Sequence, residues 1–148
     1  MLVQKYMPLI ARTFLAVIFI NSGIGKLSNF AGTQQQIASA GLPLAALVTV
    51  FTIAFQLLGG AALIVGYKAK IGSILLLLFL VPATLVFHNP LVDPTQMTQF
   101  LKNLAIIGGL LMVTAYGSGP VSLERSDDNL STAYRSEETA YRSEESVR

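Results

Sequence analysis

The sequence predicts an all-α protein, an integral membrane four-helix bundle followed by a polar, disordered C-terminal tail, and three observations carry that reading. The 148 residues are 53% hydrophobic and 12% charged, with a mean hydropathy of +0.61, whereas water-soluble domains average about 25% charged residues. Four windows are apolar for roughly the 20 residues that a helix needs to cross a bilayer: Met7–Gly25, Leu42–Gly66, Ile71–His88 and Gln99–Tyr116. The charge is also segregated. Residues 1–123 hold the bases Lys5, Arg12, Lys26, Lys68, Lys70 and Lys102 and a single acid, Asp93, while residues 124–148 hold four Arg and seven acids. The chain therefore divides into a basic membrane domain over 1–123 and an acidic tail over 124–148.

Taken in order, the first span begins after Lys5, as a secretory signal would. Its length, the lack of an A-x-A site after it and the three further spans make it an uncleaved first helix. The polar connection Leu27–Pro43, with its Gln34-Gln35-Gln36 run, has room for a short interfacial helix ending at Gly41. The second span carries no charge, and its Gly59-Gly60 pair and the Ala62/Gly66 pair let a neighbouring helix approach closely. The third span contains Pro82, which removes a donor, frees the carbonyl of Leu78 and predicts a kink. Asn89-Pro90 and Asp93-Pro94 form turns before the fourth span, which is uncharged after Lys102 and presents Ala105 and Gly109 for packing. None of these glycines lies between a strand and a helix, so no nucleotide-binding loop is present.

The tail repeats the heptad Thr132–Glu138 as Thr139–Glu145. It has no apolar seam for a coiled coil, and its composition predicts disorder. It reads as a solubilising tail, as a docking segment that becomes helical on a partner, or as a phosphorylation site at Ser136 and Ser143.

Four spans place both termini and the second connection on one side. That side holds Lys5, Arg12, Lys68, Lys70 and Arg125, against Lys26 and Lys102 on the other. The basic excess marks the cytoplasmic face. The expectation is a multi-pass protein of a bacterial cytoplasmic (inner) or other internal membrane, with both termini cytoplasmic.

Without cysteine, disulfide exchange, thiolate nucleophiles and Cys-ligated metal centres are excluded within the chain. The residues that speak to function are polar groups inside the spans, because each costs energy unless paired or hydrated. Arg12 and Lys26 fall within about 40° of one helical face, with Phe19 and Ser22 along the same stripe. Asn21, also a candidate, points roughly opposite Arg12. Gln56 sits one turn before Gly59-Gly60 and so faces a neighbouring helix. Arg12 either snorkels to the headgroups or turns inward to the Gln56 amide oxygen. In the second case, with no carboxylate in any span, its complement is water, a lipid phosphate, an anionic ligand or another subunit's acid.

At the outer end, Lys26, His88-Asn89 and Lys102-Asn103 close three helix termini at one depth. Singly, the lysines are interfacial anchors and His88 a hydrogen-bonded helix end. Together they make a donor-rich, positive mouth suited to a quinone carbonyl, a semiquinone or a small oxyanion. A lone histidine excludes bis-histidine haem within one chain and leaves axial ligation of one haem or chlorophyll as an alternative. The absence of acids in the spans argues against proton-coupled transport, and nothing points to nucleic acid. No cofactor is held covalently or by motif, and quinone is the cofactor that the mouth suits. No metal site is expected.

Several stretches resemble the DoxX family of small bacterial membrane proteins, in order and across almost all of residues 5–123: Ser22-Gly23-Ile24-Gly25-Lys26-Leu27 with Phe30 and Gly32, Ala40-Gly41-Leu42-Pro43, Leu57-Leu58-Gly59-Gly60, Phe87-His88-Asn89, and Lys102-Asn103-Leu104-Ala105-Ile106-Ile107-Gly108-Gly109. The resemblance implies a four-helix membrane protein in a family that includes the small subunit of a thiosulfate:quinone oxidoreductase and members that look like partners of redox or detoxifying enzymes. Members often carry Glu where this chain has Gln56, which cannot titrate. Two functions follow as expectations. One is a small membrane subunit associated with an oxidoreductase and the quinone pool. The other is a non-catalytic assembly or stabilising subunit that docks on a larger membrane protein or redox partner through its helices and tail. A homo-oligomer is compatible with either.

Overall fold

The computed structural model describes residues 2–123. The tail, with its repeated heptads, Ser136 and Ser143, lies outside them. Among the described residues every regular element is helical: α1 (Leu2–Ser28), α2 (Phe30–Ser39), α3 (Ala45–Val65), α4 (Ala69–Phe87), one 3₁₀ turn at Pro94–Gln96, and α5 (Met97–Tyr116). Four of the helices are long and apolar enough to cross a membrane. At 1.5 Å rise per residue, α3, α4 and α5 each span about 30 Å, the thickness of a hydrocarbon core.

Two elements differ in extent from the sequence reading. α1 starts at Leu2 and continues to Ser28, so Pro8 lies inside it and not at its first turn. α4 runs without interruption through Pro82 from Ala69 to Phe87. The expected interfacial helix is α2, held at its start by Asn29, whose side chain accepts from the Gly32 N–H, and ended just before Gly41.

α3 is the central helix. It packs against α1 and α4, α5 packs against α4 and touches α1, closing the bundle, and α2 packs on α3. Close backbone approach holds the α3–α4 pair together, as lipid-embedded helices require. A Cβ on Gly59 would come within 2.9 Å of the Gly72 carbonyl, and one on Gly72 within 2.7 Å of the Ala62 Cβ. Gly60 gives the same clearance to Ile20 of α1, and Gly109 brings α5 to Leu15 of α1. The core is Ala16, Phe19, Leu63, Leu76, Leu80 and Leu110, with Phe19 and Phe79 meeting edge to face at 6.5 Å. Outward-facing residues such as Phe14, Leu58, Leu78, Leu85 and Met112 are large, apolar and exposed. That is the expected surface of a bundle whose solvent is lipid.

The bundle has two chemically distinct ends. At the α3–α4 turn, Gly66 has φ +73° and a Cβ there would run into the Arg12 guanidinium. The opposite end carries α2, Lys26, His88 and the start of α5, where the helices enclose two cavities.

Candidate ligand site at the Lys26 end

Lys26 stands in the last turn of α1, where a cation complements the helix dipole. Its ammonium donates to Ser22 Oγ at 2.5 Å, one turn back, and lies 5.9 Å from the centre of the Phe79 ring, a cation–π distance. Ser22 Oγ also accepts from Gln56 Nε2 at 3.1 Å, tying α1 to α3. Gln56 is 2% exposed, and its Oε1 is buried with no hydrogen-bond partner. Turning the amide over would let Oε1 accept from the Ser22 hydroxyl but would orphan the NH₂ instead, so one amide atom is unmatched in either orientation.

His88 caps α4, its backbone N–H donating to the Thr84 carbonyl at 3.0 Å. Its Nδ1 is 2.9 Å from Gln96 Oε1, and Gln96 Nε2 is 3.4 Å from Asp93 Oδ2. Asp93 Oδ1 accepts from the Thr95 hydroxyl at 2.7 Å and the Thr95 N–H at 3.0 Å. These bonds, the hydroxyl first, hold the Asp93 carboxyl below the usual carboxylate range.

Lys26, Phe79, Ala83 and His88 form a wall shared by two cavities. The larger, about 440 Å³, lies between α3 and α4 under α2 and is lined by Phe51, Phe55, Phe87 and Pro82. The smaller, about 210 Å³, is lined from α1, α3, α4 and α5, by Ser22, Gln56, Lys102 and Asn103 among others. An aromatic cavity thus adjoins one lined by several polar side chains, with a cation and an imidazole in the wall between them.

The residues singled out in the sequence separate here. Lys26, His88, Lys102, Asn103 and Gln56 come together around the smaller cavity. Asn103 is 7% exposed, and its Nδ2 donates to Thr84 Oγ1 at 3.0 Å, so it also ties α5 to α4. Asn89 turns away, its Oδ1 accepting from the Leu91 N–H. Asn21 is exposed and lines neither cavity.

Arg12 requires a correction. It neither snorkels nor reaches Gln56, which bonds to Ser22. It is 1% exposed, and its Nη1 donates to the Leu63 carbonyl at 2.9 Å, Nη2 to the Val121 carbonyl at 2.7 Å and Nε to the Pro8 carbonyl at 3.4 Å. The Leu63 carbonyl is one of those left without a helical donor at the end of α3, and a guanidinium with five donors satisfies it while pinning the segment after α5. The sequence reading sought Arg12's complement in water, lipid phosphate, an anionic ligand or another subunit's acid and did not consider backbone carbonyls, which supply three of its bonds.

Sequence reasoning also missed Gln96. Its signal was the Asp-Pro turn, which sets a residue three positions after Asp93 beside a helix end eight residues back. Among the described residues, no group of three metal-ligating side chains comes together.

A family model, DoxX, matches residues 7–89. The inner membrane protein YqjF of Escherichia coli is 32% identical over 79% of this chain and 88% of its own. The inner membrane protein YphA of the same organism is 28% identical over 79% of this chain and 87% of its own. The ER-derived vesicles protein ERV29 of Saccharomyces cerevisiae is 37% identical over 50% of this chain and 26% of its own. No solved structure matches. A model match over more than half the chain, together with these relatives, establishes that the protein belongs to the DoxX family.

Proposed function

We propose that this DoxX-family protein is a small inner-membrane subunit that holds the oxygen-bearing headgroup of a membrane quinone for an oxidoreductase partner. The observation that carries the reading is the shared wall. Lys26 and His88 stand between an aromatic cavity large enough for a ring and a polar cavity that contains a buried, half-satisfied amide. Phe51, Phe55 and Phe87 supply apolar surface for the ring, and Lys26 supplies a charge-assisted donor to a ring oxygen. The chain has no cysteine or tryptophan, and in this reading its part is binding and orientation, with the electrons supplied by the partner. By the excess of bases on the opposite side, this site faces away from the cytoplasm.

The test is equilibrium binding of a short-chain ubiquinone to the full chain in lipid nanodiscs. Saturable binding that weakens at least tenfold in Lys26→Met and in His88→Ala supports the reading. Partitioning that is unsaturable, or identical in both variants, overturns it.

The second reading, an assembly subunit, draws on the segment after α5. The Arg12 bond to Val121 and the seating of Gly119 on Pro8 fix the point from which the tail departs. Co-purification of a partner with the full chain, and its loss on removal of residues 124–148, would support that role.

A further inference from the structure

We infer that the site selects the reduced, hydroxyl-bearing form of the headgroup over the carbonyl form, because a chain of hydrogen bonds presents His88 Nε2 to the ligand as an acceptor. The inference rests on the quinone-site reading and adds to it the oxidation state of what is held.

The argument runs inward from Asp93. A carboxylate only accepts hydrogen bonds, so the Gln96 atom 3.4 Å from Asp93 Oδ2 is the amide nitrogen. That orientation turns Gln96 Oε1 toward His88 Nδ1, 2.9 Å away. Oε1 only accepts as well, so Nδ1 carries the ring proton. In the neutral imidazole the other nitrogen, Nε2, then holds a lone pair. His88 lines both cavities, and its Nε2 has no hydrogen-bond partner among the described residues.

Across the same wall stands Lys26, whose ammonium can only donate. A headgroup oxygen lying between the two meets one obligatory donor and one obligatory acceptor. A hydroxyl matches both: its oxygen accepts from Lys26 and its proton goes to Nε2. A carbonyl oxygen matches Lys26 alone and sets two lone pairs against each other at His88. Gln96 is thus a positioning residue, acting through the imidazole without touching the ligand. The other charged groups near the ring are Lys102, which lines the smaller cavity, and Asp93 behind Gln96.

One unmatched polar contact in a site of this kind costs about tenfold in affinity. The chain contains a single histidine, so histidine-selective ¹⁵N labelling reads this ring without assignment. The experiment uses the full labelled chain in nanodiscs, anaerobically, at about pH 8.5, above the ordinary imidazole range, with a short-chain ubiquinone and its quinol as probes. The expected result is a protonated Nδ1 and a bare Nε2, a quinol affinity about tenfold above that of the quinone, and an Nε2 resonance that moves with quinol only. In Gln96→Leu, quinone binding should persist while the preference for quinol collapses. Equal affinities in the parent chain, or a proton on Nε2, would overturn the inference while leaving quinone binding standing. Failure of both probes to bind overturns the quinone reading itself.

Discussion

The guanidinium of Arg12 closes on the carbonyl of Leu63, 2.9 Å away and fifty-one residues along the chain. A charge inside a bundle thereby caps one helix from another, and its remaining nitrogens hold Val121 and Pro8. Removing it strands carbonyls that lipid cannot satisfy. Arg12→Met should destabilise the fold by about 3 kcal/mol, the scale of two charge-assisted hydrogen bonds. The check is SDS-titrated unfolding in detergent, where an unchanged midpoint would refute the capping role.

The α3–α4 crossing separates glycines that matter from one that does not. Gly72→Ala places a methyl 2.7 Å from the Ala62 Cβ and 3.1 Å from the Gly59 carbonyl, and should cost about 1–3 kcal/mol as overpacking. Gly108→Ala meets nothing within 4 Å and should be neutral or gain up to about 1 kcal/mol from helix propensity. Thermal melts of the two variants side by side decide the point. Equal shifts would contradict the packing described.

Gln56 makes an unusual prediction. Gln56→Leu forfeits one bond to Ser22, worth about 1 kcal/mol, and removes a buried orphan oxygen that costs about 1–3 kcal/mol. The variant should be at least as stable as the parent in SDS titration. A loss above about 2 kcal/mol would mean that the amide is fully satisfied.

Asp93 sets the acid limit of the turn before α5. Its carboxyl is held below its ordinary value of 3.8, first by the Thr95 hydroxyl and then by the Thr95 N–H. The folded-state value is the lower one, so this contribution is fully present above the unfolded value and is lost as pH falls below 3.8 through the folded one. Thr95 amide exchange, measured from neutrality down into that range, should stay protected until pH drops below 3.8. Loss of protection near neutrality would contradict the assignment.

The apolar windows made the four spans and their order legible, because crossing a bilayer demands a length and a composition that the chain displays directly. Lys26, His88 and Lys102 were legible as a cluster for the same reason, since helix ends on one side share a depth. Arg12 and Gln96 were not. Arg12 donates to backbone carbonyls, two of them on other segments, and Gln96 is proposed to act through the amide atom that faces His88. The place of Gln96 beside His88 is signalled by the Asp93-Pro94 turn, but neither the orientation of its amide nor Arg12's choice of carbonyls leaves a mark in residue type or spacing. Pro82 lies inside one continuous helix, α4, and a membrane helix tolerates it where neighbouring groups satisfy the freed carbonyl.

The claim that a quinone headgroup sits at the wall of Lys26 and His88 is tested most directly by photolabelling the chain in nanodiscs with a short-chain azidoquinone and mapping the label by mass spectrometry. The account predicts saturable labelling of residues between Phe51 and Phe55 and between Phe79 and His88, competed away by unlabelled quinone and lost in Lys26→Met. Label confined to lipid-facing positions such as Phe14 or Met112, and indifferent to competitor, would contradict it.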